Sequence, residues 1–64
     1  MVRTYASDGY WFEWCEGAYI DVHIEGEPIP FDVINVKDMD GKLLIERSKR
    51  GFQSRCKRYI RQGF

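Results

Sequence analysis

Apolar and polar residues follow two different periods along this 64-residue chain. Between residues 48 and 62, apolar side chains recur at the spacing of one face of an α-helix. They are Phe52, Cys56, Tyr59 and Ile60. Ser48 can cap the start of such a helix, and Gly63 can end it. The pattern therefore predicts one amphipathic helix at about 49–62.

The preceding residues follow the period of two that is typical of β-strands. Strand-favouring aromatics predict a strand at about 9–14. The side chains expected to share one face of it are Tyr10, Phe12 and Trp14. The clearest alternation predicts a strand at about 18–25. Its expected inward residues are Ile20, Val22 and Ile24, and its expected outward residues are Asp21, His23 and Glu25.

Two more strands are predicted at about 31–37 and 42–46. The first carries apolar side chains on both faces, which is typical of a central strand covered on both sides. Between the two strands, Asp38-Met39-Asp40-Gly41 favours a hairpin turn over a calcium loop, because the ligand ladder of an EF-hand is missing. Residues 1–8 leave two alternatives open, a short edge strand or a frayed terminus.

These elements predict one small α+β domain over residues 1–64. Its sheet would be a four-stranded antiparallel β-meander, and its C-terminal helix would pack on one face in the order ββββα. A chain of this length buries only about 60% of the surface that its unfolded form exposes, so we expect modest stability.

Charge is divided sharply along the chain. Residues 1–46 hold ten acids and three bases, for a charge of −7, whereas residues 47–64 hold seven bases and no acid, for +7. Part of this division can be explained by attraction between the helix and the sheet. Cations that point away from the sheet are not explained in this way, and such asymmetry indicates an interaction surface.

The basic helix is the main candidate site. Lys49 and Arg50 lie in its first turn, where the helix dipole makes a cation unfavourable by about 0.3–1 kcal/mol. Gly51 costs roughly 1 kcal/mol more than alanine inside a helix. Such departures from local stability indicate function. The residues expected to bind a phosphate or an acidic partner are Arg50, Lys57, Arg58 and Arg61, with Lys49 and Arg55 at the margins.

A second surface comes from the aromatic and acidic strands. The aromatic residues favour core packing, and any ring left exposed would indicate a protein interface. The residues of this alternative interface are Trp11, Trp14, Tyr19, Asp21 and His23. The acids among these strands would repel a phosphate backbone, so we expect nucleic acid on the helix side.

Candidate chemistry is sparse. His23 is the only histidine, and no second ligand lies near it in sequence, so we expect a surface or cross-strand polar residue and no metal site. No catalytic set and no cofactor motif is found, which indicates a protein that is not an enzyme. The apolar stripe makes Cys56 a small core residue, and we expect reduced thiols. A disulfide between Cys15 and Cys56 stays open as an alternative.

Location and partners follow from the same features. Met1 leads into polar residues without an apolar leader, and no apolar run could span a bilayer, so we expect a cytoplasmic protein that does not enter membranes. The expected partner is nucleic acid or a host protein. The protein itself would be a monomer, or a salt-sensitive homodimer in which the helix of one copy meets the sheet of another.

Two resemblances attach to particular residues. The run FDVINVKDMDGKLLIERS from Phe31, followed by a helix with Phe52 and Tyr59-Ile60, resembles small uncharacterised proteins of actinobacteria and their phages. These share a DVINVxDxxG hairpin before a C-terminal helix. The resemblance implies a hairpin-to-helix unit and a phage or mobile-element setting, although the helix of this chain is more basic than theirs.

The second resemblance rests on Gly41-Lys42 and Lys49-Arg50-Gly51-Phe52, which are similar to the arm-binding domains at the start of phage integrases. It implies a three-stranded sheet in the DNA major groove with a helix behind it, from which the acidic strand at 18–25 departs. The hypothesis from the sequence is a small non-enzymatic module that binds nucleic-acid phosphates through its helix. The alternative is an inhibitor or adaptor of a host protein.

Overall fold

The computed structural model describes residues 2–62 of the chain. These residues contain four antiparallel strands and one C-terminal helix. The strands are β1 (Arg3–Ser7), β2 (Tyr10–Trp14), β3 (Tyr19–Ile24) and β4 (Asp32–Asn35), and the helix is α1 (Lys49–Gln62). Each strand pairs with the next in a single sheet of order β1-β2-β3-β4. The predicted α+β class, with its β-meander and C-terminal helix, is confirmed.

The first strand of the sheet, β1, lies earlier in the chain than the segments with the clearest strand pattern. Of the two alternatives for residues 1–8, the edge strand is the one observed, because β1 pairs with β2 from Arg3↔Trp14 to Ser7↔Tyr10. Asp8 and Gly9 form the two-residue turn between them. Both have positive φ, as the favoured hairpin turns of this length require.

One face of the sheet packs against α1 and forms the core. Its fully or almost fully buried apolar side chains, among the described residues, are Phe12, Trp14, Ile20, Val22, Ile34, Val36, Phe52 and Cys56. Trp14 stacks on Phe52 with ring centroids 6.0 Å apart. Its indole Nε1 donates a hydrogen bond to the Gly17 carbonyl at 3.0 Å, so the buried polar atom is satisfied. The predicted inward positions of Phe12, Trp14, Ile20 and Val22 are confirmed.

The strand predicted at 42–46 is wrong. This segment makes one isolated bridge, Lys37↔Leu43, and then turns towards the helix. Leu43 and Ile45 still pack against the core, and Leu44 is exposed. In the sequence, Leu43 and Ile45 alternate with Leu44, and this alternation correctly indicates which side chains are partly buried. It could not show whether the backbone continues along a neighbouring strand.

The strand predicted at 31–37 is shorter and lies elsewhere in the sheet than expected. The central position expected for it is wrong, because β4 is an edge strand and Val33 is 50% exposed. At its end, the backbone N–H of Lys37 donates to Oδ1 of Asn35 at 3.0 Å. This local hydrogen bond satisfies the backbone N–H of Lys37 with a side chain. The hairpin turn that follows is confirmed, since Asp38 N donates to the Lys42 carbonyl at 2.9 Å.

The contacts at the start of α1 explain why Ser48 and Gly51 occupy their positions in the sequence. Ser48 is the predicted N-cap, and its Oγ accepts a hydrogen bond from the backbone N–H of Gly51 at 3.1 Å. A Cβ at Gly51 would collide with the backbone carbonyl of Glu46. Packing thus requires a glycine there, so the presence of Gly51 is explained without a function. Gly63, the predicted helix stop, lies outside the described residues.

Substitution of Gly51 by alanine is expected to destabilise the protein, although alanine is the better helix former by about 1 kcal/mol. The new methyl group meets backbone and not a flexible side-chain end, so the loss should reach about 1–3 kcal/mol. Thermal unfolding followed by circular dichroism measures it. The matched control is Ser54→Ala, at an exposed position of α1, which should be neutral or slightly stabilising. Equal or higher stability of Gly51→Ala would contradict the collision.

Candidate functional site

The orientation of α1 is set by its apolar residues. Phe52 and Cys56 are fully buried against the sheet, so the opposite side of the helix faces away from it. We call this side the basic face; it consists of Arg50, Ser54, Lys57, Arg58 and Arg61, all of which are exposed. Lys49 is also exposed, and Arg55 lies half-buried on the flank. The first turn contains no acid.

The cations of α1 are not neutralised by the acidic strands. Within residues 2–62, the one ion pair joins Arg47 Nε to Glu16 Oε1 at 3.9 Å, and Arg47 precedes the helix. Every described cation of α1 therefore lies farther than 4.0 Å from the carboxylate oxygens of residues 2–62. Attraction between helix and sheet does not explain the charge of the basic face.

A shallow groove of about 240 Å³ runs along one flank of α1. Its lining residues are Ile45, Glu46, Arg50, Gly51, Ser54, Arg55 and Arg58. Arg55 Nη1 is buried there without a hydrogen-bond partner in the described chain. Burial, followed by the neighbouring Arg58 guanidinium, lowers the pKa of Arg55. An anion in this groove would reduce the repulsion between the guanidinium groups of Arg55 and Arg58.

A second groove, of about 490 Å³, adjoins the first. It is lined by Lys49, Arg50, Gln53, Ser54 and Lys57, so Arg50 and Ser54 belong to both grooves. The structure thus brings five of the six predicted cations together around two neighbouring grooves. The sixth, Arg61, is exposed in the last turn and lines neither of them.

The opposite side of the sheet, which we call the open face, carries most of the alternative interface. Strand alternation and register place Trp11, Tyr19, Asp21 and His23 there, and Tyr19 is 53% exposed. Trp14 lies on the other face and is fully buried, so it has no surface to offer to a partner. The predicted inclusion of Trp14 in that interface is therefore wrong.

His23 differs from its predicted exposed position. It is 7% exposed, because the indole of Trp11 lies flat on the imidazole with ring centroids 3.7 Å apart and planes 7° apart. Its expected isolation from other ligands is also wrong. Glu13 and Asp21 flank it, and one ligand atom of each of the three side chains lies within 4.8 Å of the others. The Asp21-x-His23 spacing could have indicated two ligands on the same face of a strand. Glu13 lies in the neighbouring strand β2, and spacing within β3 could not indicate it.

Both cysteines are free, so the alternative of a Cys15–Cys56 disulfide is not observed. Cys15 is exposed, and Cys56 is a core residue as predicted. Burial raises the pKa of the Cys56 thiol to about 12, and the weaker effect of Arg55 does not offset it. The thiol is protonated at neutral pH and acts as a small apolar side chain.

Among residues 2–62, the helix has neither the length nor the hydropathy that a membrane crossing requires. Comparison of the whole chain with protein-family models, with curated proteins and with solved structures finds no match.

Proposed function

We propose that the protein is a small non-enzymatic binding module, of phage or mobile-element type, that contacts nucleic-acid phosphates through α1. The observation that carries this proposal is the unpaired state of the basic face. Its cations have no carboxylate within 4.0 Å among the described residues, and Arg55 Nη1 is buried without an acceptor.

Phosphate is the anion that fits this surface best. The helix is 14 residues long, or about 20 Å, a length over which one strand of duplex DNA presents about six phosphates along its axis. Guanidinium groups such as those of Arg55 and Arg58 match phosphate oxygens with paired N–H donors. A phosphate near Lys49 and Arg50 would also offset the unfavourable interaction of these cations with the helix dipole.

The charges of the sheet favour the same side. Glu13 and Asp21 lie on the open face and would repel a phosphate backbone, so the nucleic acid belongs on α1.

The proposed mobile-element setting rests on the resemblance of the hairpin-to-helix unit. Its hairpin turn at 38–41 is present before α1.

The test is fluorescence anisotropy of labelled duplex DNA, single-stranded DNA and RNA, titrated with the protein at several salt concentrations. Contacts with three to five phosphates of a duplex should give a log–log salt slope of about −2.7 to −4.5. Sedimentation over the same salt range is the control, because self-association of helix and sheet would also weaken with salt. A slope near zero, or no binding at the lowest salt, would contradict phosphate binding.

A protein partner is the second candidate function, acting as an inhibitor or adaptor of a host protein. It is favoured by Tyr19 and Val33, which are about half exposed on a sheet face that no described helix covers. Absence of DNA and RNA binding in the salt series would favour this candidate. Substitution of Tyr19 should then weaken the complex, whereas substitution of Arg61 on α1 should not.

A further inference from the structure

The open face of the sheet contains a compact group of ligand atoms. Register places Glu13 opposite Asp21 and Trp11 opposite His23 on strands β2 and β3. Since side chains alternate along a strand, Asp21 and His23 point to the same side as Glu13. One imidazole nitrogen and one carboxylate oxygen from each acid lie within 4.8 Å of one another.

The imidazole of His23 is buried without satisfying its polar atoms. The residue is 7% exposed, and neither Nδ1 nor Nε2 has a hydrogen-bond partner among residues 2–62. Leaving such a group unpaired costs about 1–3 kcal/mol. The stacked Trp11 ring holds the imidazole in place but offers no acceptor in its plane. A ligand on one of these two nitrogens would remove part of this cost.

The two carboxylates also lack compensation. Glu13 and Asp21 face each other directly across the strands, an arrangement of like charges that destabilises a sheet. Neither forms an ion pair with a described basic residue within 4.0 Å. A cation between them would turn this repulsion into attraction, and the imidazole supplies a third donor beside them.

We propose that Glu13, Asp21 and His23 form a binding site for a divalent transition-metal ion, best suited to Zn²⁺. An imidazole nitrogen favours Zn²⁺ over Mg²⁺ and Ca²⁺, which prefer oxygen ligands alone. Ligands about 2.1 Å from a tetrahedral ion stand about 3.4 Å apart, so small rotations of the half-buried carboxylates close the site. A water molecule would complete the coordination. This site is independent of the basic face.

The test exploits the presence of a single histidine. Long-range ¹H–¹⁵N spectra of the imidazole are recorded with ZnCl₂, MgCl₂ and CaCl₂ in turn, and affinity is measured by calorimetry. All variants carry Cys15→Ser, because the exposed thiol of Cys15 is a competing ligand. We expect binding of one Zn²⁺ per chain, a large shift of one ring nitrogen and a higher melting temperature. Mg²⁺ and Ca²⁺ should leave the imidazole signals unchanged.

The double variant Glu13→Gln/Asp21→Asn keeps the shape of both side chains and should lower zinc affinity more than about 100-fold. Loss of one outer hydrogen-bond partner alone costs a metal site about 10- to 100-fold. The control Glu25→Gln/Glu27→Gln removes two exposed acids elsewhere and should leave affinity unchanged. Unmoved imidazole signals with Zn²⁺, equal binding of Mg²⁺, or unchanged affinity in a folded double variant would overturn the proposal.

Discussion

Replacement of Trp14 by alanine is expected to lower the free energy of unfolding by about 3–5 kcal/mol. A chain of 64 residues usually has about 3–10 kcal/mol in total, so the variant should lose about a third of its stability or more. The side chain is fully buried and stacks on Phe52 of α1, and its Nε1 donates a hydrogen bond to the Gly17 carbonyl. Its loss would leave a cavity between sheet and helix. Urea unfolding followed by far-ultraviolet circular dichroism measures the change.

The matched control is Trp11→Ala, which makes the same chemical change three residues earlier. Trp11 is half-buried on the open face and contacts His23, not the helix. Its truncation should cost clearly less than that of Trp14, and the unfolding midpoint should show the difference. Equal losses for the two variants would contradict the assignment of Trp14 to the core and Trp11 to the other face.

The alternation of β2 predicted the face of Trp14 but not its contacts. Tyr10, Phe12 and Trp14 share one side of any strand that contains them, so one apolar face was evident from spacing alone. The stack on Phe52 joins residues 38 positions apart in the chain. Such a contact depends on how the helix crosses the sheet, and spacing within either element does not determine that.

The two candidate sites differed in how far the sequence could predict them. The basic face lies within a single helix, where the 3.6-residue period fixes which side chains are neighbours, and its exposed cations Arg50, Lys57 and Arg61 could be named from spacing. The proposed metal site of Glu13, Asp21 and His23 depends on the pairing between β2 and β3. A shift of one residue in the β2–β3 register would place Glu13 on the other face from Asp21.

The connection between β2 and β3 sets that register, and the sequence does not specify it strongly. Residues 15–18 join the strands, and Glu16 adopts a φ of 61° in the left-handed region. A glutamate rarely takes this conformation, so the residue preferences of the loop gave no indication of its geometry. For the same reason the burial of His23 beneath Trp11 could not be predicted, although both residues lie in predicted strands.

Replacement of Arg50, Lys57 and Arg61 by glutamine is expected to reduce affinity for duplex DNA by about 1,000-fold or more. Each charge-assisted contact contributes about 1.5–3 kcal/mol. The log–log salt slope should become shallower by about 2.7, because three phosphates are no longer neutralised. All three side chains are exposed, so unfolding stability should change by no more than about 0.5 kcal/mol. Anisotropy titrations at several salt concentrations, with thermal unfolding in parallel, measure both effects.

The triple variant Lys37→Gln/Lys42→Gln/Arg47→Gln provides the charge-matched control. It also removes three positive charges, but from residues outside α1. One of these residues, Arg47, is already paired with Glu16. If phosphates contact the basic face, this control should keep the salt slope and lose little affinity. Equal losses in the two triple variants would mean that DNA responds to net charge alone. Undiminished binding by the helix variant would contradict the placement of the nucleic acid on α1.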